Sequence, residues 1–337
     1  MSQAGVVTRH RYGRGFTYRY DNGRILRDKS LRRWIESMAI PPAWRAVEIA
    51  LDATACVHAS GRDDAGRKQY IYNEDWRAER DAAKLDRLPD FARRLSTMRR
   101  ATGQHLVQDG HGRNKVLAAM VRLIETGYFR PGSERYAQET WAYGLTTMRS
   151  KHPSIEGDTL VFDYRGKSGQ AQHREVEDER LARVVAELDE PPGYEIFKYY
   201  DHDGHRVHVD SADLNDYIHE VMGEAFSAKD FRTWAGTSLA ALALALDELG
   251  VSEDEKIGQK NVVEAVKRVA ERLGNTPAIA RASYIHPRVI ESYLDGRTVS
   301  HFRQLVEAEL ADGELTGPEE RAVLYLLEQR LEQQEAV

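Results

Sequence analysis

Arginine, lysine and tyrosine occur in this chain at positions where the local sequence is unusual. Arg130 directly precedes a Pro-Gly pair, Lys167 lies in a glycine-flanked turn, and Tyr284 follows a Gly-Asn-Thr-Pro run. Arg232 lies in a Lys-Asp-Phe-Arg-Thr segment. Such residues together can act on a phosphate ester, because guanidinium groups bind phosphate oxygens, an ammonium donates a proton and a phenolate is a nucleophile. Singly, each has an ordinary structural explanation, so only the ordered set is informative.

The rest of the sequence offers little other chemistry. We find no metal-ligand spacing and no nucleophile elbow, and Gly13-Arg14-Gly15 lacks the later glycine of a phosphate-binding loop. The single cysteine, Cys56, excludes an intramolecular disulfide and a multi-cysteine zinc site. We expect it to be a small buried hydrophobic residue. The sequence therefore predicts neither a bound metal nor a cofactor.

Residues 1–85 predict a small β-rich domain. Residues 15–20 alternate aromatic and polar side chains before an Asp-Asn-Gly turn, which indicates a hairpin. Residues 68–73 predict a second aromatic strand after a turn-like segment at 61–66, and residues 31–37 predict a short helix. We place a linker at residues 84–90.

Residues 86–337 predict a larger, mostly helical domain, so the fold class is α+β. One hairpin is expected within it, because residues 159–164 and 170–176 alternate on either side of the turn that carries Lys167. From residue 301 onward, three arginines stand against nine acidic residues, which predicts a solvated acidic helical tail. Helical periodicity covers residues 91–100, 112–126, 134–140, 211–223, 229–249, 262–273 and 278–285. The pair Thr276-Pro277 predicts an N-cap followed by proline at the first position of the last of these helices.

Composition and charge limit the possible partners. The chain has 337 residues, of which 41% are hydrophobic and 30% charged, as in a soluble protein of two domains. It has no run of eighteen apolar residues and no apolar N-terminal signal, so we expect no membrane association and a cytoplasmic, nucleoid location in a bacterium. The formal net charge is −6, yet residues 1–85 hold sixteen Lys and Arg against eleven Asp and Glu. A basic N-terminal segment on an acidic protein is compatible with DNA binding.

The ordered set of motifs resembles the type IB DNA topoisomerases of poxviruses and bacteria, over about residues 9 to 295. One such segment would be a weak signal, whereas six in order are a strong one. The segments are Gly-Arg-Lys-Gln-Tyr-Ile-Tyr (66–72), Arg-Pro-Gly-Ser-Glu-Arg-Tyr (130–136), Gly-Leu-Thr-Thr (144–147), Phe-Asp-Tyr-Arg-Gly-Lys (162–167), Phe-Ser-Ala-Lys-Asp-Phe-Arg-Thr (226–233) and Leu-Gly-Asn-Thr-Pro (273–277), which leads to Ser283-Tyr284.

The resemblance implies a role for each residue of the set. Tyr284 is the implied nucleophile, Arg130 and Arg232 hold the scissile phosphate, and Lys167 is the general acid for the leaving 5′ oxygen. The implied reaction cuts one strand through a 3′-phosphotyrosyl ester, lets it rotate and reseals it without ATP or an obligatory metal. Asn275 stands where many family members have histidine. We expect it to donate a hydrogen bond to a phosphate oxygen without transferring a proton.

The resemblance also implies contacts with double-stranded DNA. Gln69, Tyr70 and Tyr72 are expected at the major groove with Arg67 on phosphate, and Tyr136 and Lys229 are further candidates. Strand alternation puts the two tyrosines on the face opposite Gln69, so all three reach DNA only if the strand lies at a sheet edge or twists. The alternative is that these aromatic residues simply cover a small sheet. A monomer that clamps the duplex between its two domains is the expected arrangement.

Two other functions remain open at this point. A tyrosine recombinase or integrase shares the order Arg, Lys, Arg, Tyr, but usually has His-x-x-Arg where this chain has Lys229-x-x-Arg232 and a helical N-terminal domain. A DNA-binding protein that has lost turnover would also share the fold. The presence of all four charged or nucleophilic residues argues against the second.

Overall fold

The computed structural model describes residues 5–190, 194–246, 251, 254–302 and 317–335. The chain divides into two compact units, Met1–Asp86 and Arg87–Val337. Within the described part of the chain, no helix is both long and apolar enough to cross a bilayer.

The first unit is built on a five-stranded antiparallel sheet with the order β2-β1-β3-β4-β5, so that β2 and β5 are its edges. Its core contains Val7, Tyr18, Ile35 and Ile49, which come from three strands and one helix. Its elements are β1 (Val6–Tyr12), β2 (Gly15–Tyr20), α1 (Lys29–Ser37), β3 (Arg45–Ala50), β4 (Val57–Arg62), β5 (Lys68–Tyr72) and α2 (Glu74–Asp86).

Several predictions for this unit need correction. The predicted turn after β2 exists, since the amide of Gly23 donates to the carbonyl of Tyr20 at 2.8 Å, but the hairpin partner of β2 is the preceding strand β1. We did not predict β1 because only Val7 of its seven residues is buried, which leaves no apolar alternation. The predicted linker is helical except around Arg87, between α2 and the next helix. Cys56 is exposed, in the loop before β4, so the prediction of a buried thiol was wrong.

The second unit is mostly helical, and the predicted α+β fold class is confirmed. Its elements are α3 (Leu88–Leu106), α4 (Arg113–Gly127), α5 (Glu134–Thr140), β6 (Pro153–Glu156), β7 (Thr159–Arg165), β8 (Ala171–Glu177), α6 (Glu179–Asp189), β9 (Lys198–Tyr200), β10 (Arg206–His208), α7 (Ser211–Met222), α8 (Ala228–Ala245), α9 (Glu255–Leu273), α10 (Pro277–Tyr284), α11 (Pro287–Leu294) and α12 (Pro318–Glu335).

Helices α4 and α8 form the centre of this unit. The helical periodicity at 112–126 predicted an amphipathic helix, and this prediction was wrong. Residues 115–121 of α4 are all buried, because neighbouring elements pack on every side of the helix. Residues 228 and 230–234 of α8 are buried too. Both helices lead into the region of the candidate site, α4 at its C-terminal end and α8 near its N-terminal end. Rigid packing at these two ends therefore fixes the backbone there.

The acidic tail is only partly a solvated surface. In α12 the apolar residues Ala322, Val323 and Leu327 are buried against the helical core. Arg99 on α3 forms hydrogen bonds at 2.7 Å to both carboxylate oxygens of Glu320. The prediction was wrong for α12 because its acidic residues share the helix with an apolar face. Residues 303–316 of the tail, and 247–249 of the predicted helix at 229–249, lie outside the described residues.

Candidate active site

The candidate site is organised around the C-terminal end of α9. The last carbonyl groups of a helix have no partner within the helix, and the helix dipole gives this end a partial negative charge. Here Gly274 closes α9 in the left-handed conformation, at φ +62°. The carbonyl oxygens of Arg272, Leu273 and Gly274 each accept a hydrogen bond from the guanidinium group of a different arginine. The helix end thus gathers cationic side chains from distant parts of the chain.

Arg232 is the most deeply buried of these arginines, at 2% exposure. It lies on the second turn of α8, whose first turn is closed by Ser227, since the Ser227 amide donates to Asp230 at 2.8 Å. Its Nη2 donates to the Leu273 carbonyl at 2.9 Å, and Nη1 donates to the carbonyl of Tyr128, which follows α4. Two helix ends therefore hold this guanidinium in one orientation.

Arg130 is held by a tight loop after α4. Gly132, at φ +107°, packs so closely on Gly144 that a Cβ on Gly144 would lie 2.4 Å from the Gly132 Cα. The Arg130 carbonyl accepts from the Leu145 amide at 2.9 Å, so the motifs at 130–136 and 144–147 form one structural piece. The Arg130 side chain donates to the Gly274 carbonyl at 2.8 Å and to Oδ1 of Asn275.

Three buried donors at the end of α9 have no partner among the described residues, and one of them is Nε of Arg174. The other two, which lie beside the predicted catalytic residues, are Nδ2 of Asn275 and Nε of Arg232. A buried donor without an acceptor costs about 1–3 kcal/mol, so proteins rarely keep one without a reason. Because Arg130 binds Oδ1 of Asn275, the amide nitrogen is the group left for a ligand. Both donors suit the oxygens of a phosphate.

Tyr284 is the last residue of α10, which begins as predicted, with Thr276 as N-cap and Pro277 in the first turn. Helix α8 fixes its backbone. The Thr237 hydroxyl donates to the Tyr284 carbonyl at 3.3 Å, and a Cβ on Gly236 would lie 2.5 Å from the same oxygen. The Arg232 guanidinium carbon lies 5.2 Å from the centre of the Tyr284 ring. One helix therefore positions both the arginine and the tyrosine.

The charges of the site act on the ionisation of Tyr284. Burial raises its pKa, but the positive charges of Arg232, Arg130 and Lys229 together outweigh burial. The pKa of Tyr284 is therefore below its ordinary value. Burial lowers the pKa of Arg232 to about 10, so the guanidinium remains protonated at neutral pH. The site thus favours a phenolate next to a permanent cation.

Lys167 is exposed at the tip of the β7–β8 hairpin, in the short turn Lys167–Gly169. Within the described residues, its ammonium group has no hydrogen-bond or ion-pair partner. Its hairpin nevertheless reaches the end of α9, because Arg174 on β8 is one of the three arginines gathered there. The structure thus brings Arg130, Arg232, Asn275 and Tyr284 together, and leaves Lys167 on a hairpin attached to the same place.

The predicted DNA contacts of the first unit lie on and before β5, which is an edge strand as the prediction required. Tyr70 and Tyr72 are 43% and 41% exposed, and their rings stack at 5.8 Å. Arg67 and Gln69 are engaged within the protein. Both donate to Oδ2 of Asp63, at 2.7 Å and 2.9 Å.

The two remaining candidates are exposed residues of the second unit. Tyr136 on α5 is 44% exposed. Lys229 lies one turn before Arg232 on α8 and is also exposed. Its charge lowers the pKa of Tyr284, so it acts on the site as well as being available to a ligand.

Several residues of the site were not predicted from the sequence. One is Arg174, although a usable signal was present. Strand β8 alternates, and its less exposed face carries Gln172, Arg174 and the buried Val176, so an arginine stands on a face that points inward. Gly236 and Thr237 had no such signal, because they look like ordinary small residues of a buried helix. Tyr164 faces the same arginines, and burial raises its pKa against the opposing charge of Arg174.

One group of potential metal ligands occurs among the described residues, away from the motifs above. Asp201, Asp203 and His205 place their ligand atoms within 4.8 Å of one another on the exposed turn after β9. Oδ1 of Asp201 already accepts from the amides of Asp203 and His205, at 3.0 Å and 2.8 Å. The group is explained as a hydrogen-bonded turn.

Comparison with known proteins identifies the family. A family model described as the eukaryotic DNA topoisomerase I catalytic core matches residues 73–308, and one described as the bacterial DNA topoisomerase IB N-terminal domain matches residues 15–63. DNA topoisomerase 1B of Acanthamoeba polyphaga mimivirus is 32% identical over 298 residues, which cover 85% of this chain and 87% of that protein. DNA topoisomerase 1B of vaccinia virus (strain Copenhagen) is 26% identical over 241 residues, which cover 70% and 72%. These matches do not favour the recombinase alternative. The chain belongs to the type IB DNA topoisomerase family.

Proposed function

We propose that this protein relaxes supercoiled duplex DNA by cutting one strand through a 3′-phosphotyrosyl ester at Tyr284, allowing rotation and resealing the strand. The observation that carries the proposal is the placement of Arg232 over the Tyr284 ring at 5.2 Å, with Arg130 held at the same helix end. A tyrosine with a lowered pKa between two fixed guanidinium groups is suited to attack a phosphodiester.

The scissile phosphate is proposed to bind the unpartnered donors. Nε of Arg232 and Nδ2 of Asn275 supply two N–H groups, and Arg130 adds its charge. Because carbonyl groups already fix both guanidinium groups, little reorganisation is needed as negative charge develops on the phosphate oxygens. Asn275 acts in this proposal as a neutral hydrogen-bond donor, with no part in proton transfer.

The proposed chemical step is a direct displacement at phosphorus. The Tyr284 phenol loses its proton to water, its oxygen bonds to phosphorus, and the bond from phosphorus to the 5′ oxygen breaks. Lys167 gives a proton to that oxygen, because an ammonium group can act as a general acid. One phosphodiester is exchanged for another, so the reverse step reseals the strand without ATP.

Arg67, Gln69, Tyr70, Tyr72 and Tyr136 are proposed to contact the duplex. Exposed aromatic rings beside basic residues are typical of nucleic-acid surfaces, and a glutamine amide can bind a base edge. A monomer that clamps the duplex with its two units is part of the same proposal. Analytical ultracentrifugation with and without a DNA duplex tests this part, and a dimer would contradict it.

Relaxation of supercoiled plasmid in EDTA without nucleotide tests the proposal as a whole. We expect relaxation in steps of variable linking number, and the Tyr284→Phe variant should bind DNA while forming no covalent adduct. A strict requirement for Mg²⁺ would contradict the mechanism, whereas stimulation by salt would not, because salt changes DNA affinity and release. An adduct trapped by Tyr284→Phe would place the nucleophile elsewhere. A need for paired DNA sites would instead indicate a recombinase.

A further inference from the structure

Arg174 occupies a position on β8 where an apolar residue would be expected. Its side chain faces the same way as Gln172 and Val176, toward the interior of the second unit. Its Nη2 donates to Oε1 of Gln172 at 2.9 Å, and its Nη1 donates to the Arg272 carbonyl. The guanidinium therefore bridges the hairpin and the C-terminal end of α9.

The contact between the hairpin and α9 is close and specific. A Cβ on Gly274 would lie 2.5 Å from Oε1 of Gln172 and 2.6 Å from Nη2 of Arg174. A Cβ here would have to displace these two side-chain ends, and the Gly274 carbonyl binds Arg130. The hairpin is thus attached to the same three-residue run that holds the two phosphate-binding arginines.

Lys167 is carried by the tip of this hairpin. Its side chain has no partner in the described part of the chain, so within these residues only the hairpin backbone restrains where the side chain begins. The pairing of β7 with β8 is unbroken from Thr159 opposite Glu177 to Arg165 opposite Ala171. Fixing Gln172 and Arg174 therefore fixes the base from which the turn projects.

We propose that Arg174 is a positioning residue for Lys167, because it fastens the β7–β8 hairpin to the carbonyl end of α9 where Arg130 and Arg232 are held. The inference rests on the proposed function, in which Lys167 protonates the leaving oxygen. The alternative is direct binding of the DNA phosphate by Arg174. Both Nη atoms of Arg174 have acceptors within the protein, which favours positioning. Its buried Nε has no acceptor among the described residues and is the one nitrogen of this guanidinium left for a phosphate.

The two roles differ in their response to the leaving group. A DNA substrate with sulfur in place of the bridging 5′ oxygen releases a thiolate, whose conjugate acid has a pKa of about 8.5, and needs no general acid. A residue that acts through Lys167 becomes dispensable on this substrate. A residue that binds the phosphate remains necessary, because charge at phosphorus develops with either leaving group.

Single-turnover cleavage of both substrates by the full-length protein tests the proposal. On the oxygen substrate, Lys167→Ala should slow cleavage by about 10²–10⁴-fold, and Arg174→Ala by about 10–10²-fold through misplacement of the acid. On the sulfur substrate, both variants should come within a few-fold of wild type, whereas Arg130→Ala should remain slow. The double variant of Lys167 and Arg174 should be no slower on oxygen than Lys167→Ala alone.

Three further variants separate geometry from charge and from folding. His173→Ala, on the opposite face of β8, should leave both rates unchanged. Arg174→Lys keeps the charge but lacks the planar fork whose two nitrogens reach the two acceptors, so it should remain slow on the oxygen substrate. If Arg174→Ala does not fold, Gln172→Ala removes one acceptor with little loss of packing and should show the same selective slowing.

The outcomes distinguish the inference from the proposed function. If sulfur restores Lys167→Ala but not Arg174→Ala, Arg174 binds phosphate and the positioning role is overturned. Full activity of Arg174→Lys would also overturn it, because charge alone would then suffice. If sulfur fails to restore Lys167→Ala, the acid has been misassigned and the proposed function fails at that point.

Discussion

The candidate active site at the end of α9, which we call the pocket, consists of Arg130, Arg232, Asn275 and Tyr284. The pocket and the strand β5 are both candidate contacts for DNA, but they are built in opposite ways. In the pocket, Arg232 is 2% exposed and bound by two backbone carbonyls, and its Nε has no acceptor in the described structure. On β5, Tyr70 is 43% exposed, and the nearby Arg67 is bound by Asp63.

The two regions differ in how much their functional side chains destabilise the fold. Holding an unpartnered donor in a buried site destabilises the fold and is useful only if a ligand completes it. Exposed side chains on an edge strand cost little and can rearrange on binding. We therefore expect substitutions in the pocket to change the rate of strand cleavage, and substitutions near β5 to change DNA affinity and site choice.

The largest expected effect is the loss of Arg232. Arg232→Ala removes a preorganised donor and the main charge that lowers the pKa of Tyr284, so single-turnover cleavage should slow by about 10²–10³-fold. Arg67→Ala is the matched change in the first unit. It should weaken DNA binding modestly, reduce the slope of log affinity against log salt by about 1, and leave the cleavage rate of bound DNA near wild type. Equal losses of cleavage rate in the two variants would remove the distinction.

The sequence predicted the pocket better than the framework around it. Arg130, Arg232, Asn275 and Tyr284 converge as the motif order implied, and the N-cap of α10 was visible in its Thr-Pro pair. The carbonyl run of α9 that binds three arginines could not be predicted. Every residue has a backbone carbonyl, so the sequence does not show which carbonyls accept hydrogen bonds from arginine. The partners are also distant in the chain, since Arg130 and Gly274 are 144 positions apart.

In the first unit, the sequence predicted the two aromatic strands β2 and β5 but missed β1, β3 and β4. Strand β1 carries polar residues on most positions, and β3 was overlooked although Val47 and Ile49 alternate in it. The binding of Arg67 and Gln69 by Asp63 was also missed. Arg67 and Gln69 lie four and six residues after Asp63, with a turn and the start of β5 between them. Whether their side chains reach Asp63 therefore depends on the exact geometry of that turn.

Gly236→Ala should disturb the pocket without touching any charge. The new Cβ would lie 2.5 Å from the Tyr284 carbonyl and 3.0 Å from its Cβ, so the tyrosine must move. A displacement of about 1 Å can slow a reaction by about 10²-fold, which is the upper limit we expect for single-turnover cleavage. Gly258→Ala on α9 is the control, since its Cβ would meet only Leu294 at 3.5 Å. It should leave activity intact and raise stability by about 0.5–1 kcal/mol. A wild-type rate for Gly236→Ala would show that α8 does not hold Tyr284.

Asp63→Asn should alter site choice by a few-fold. The carboxylate can only accept, so Gln69 must direct its amide nitrogen to Asp63 and keep Oε1 for a base. An asparagine can donate to Gln69 instead, which lets the amide reverse, and it weakens the hold on Arg67. The distribution of cleavage sites on a long duplex should change, with the rate at a single strong site unaffected. An unchanged distribution would mean that Gln69 does not read DNA.

The smallest effect should come from Lys229, and it should appear in the pH profile. The charge of Lys229 favours the phenolate, so Lys229→Ala should raise the pKa of Tyr284. Single-turnover cleavage at saturating protein should then show its rise at higher pH. The deficit should be greatest below the pKa, where the phenolate fraction is proportional to 10 raised to the pH minus the pKa, and should vanish at high pH.

This pH dependence separates the role of Lys229 in the pocket from a contact with DNA phosphate. A lost phosphate contact weakens binding at every pH and makes binding less dependent on salt, and saturating protein removes it from the measured rate. A changed tyrosine pKa persists at saturation and converges with wild type only in alkali. Lys260→Ala, an exposed lysine on α9, should shift neither quantity. If Lys229→Ala is slowed by the same factor at every pH, its charge acts on the phosphate, and Arg232 and Arg130 alone account for the ionisation of Tyr284.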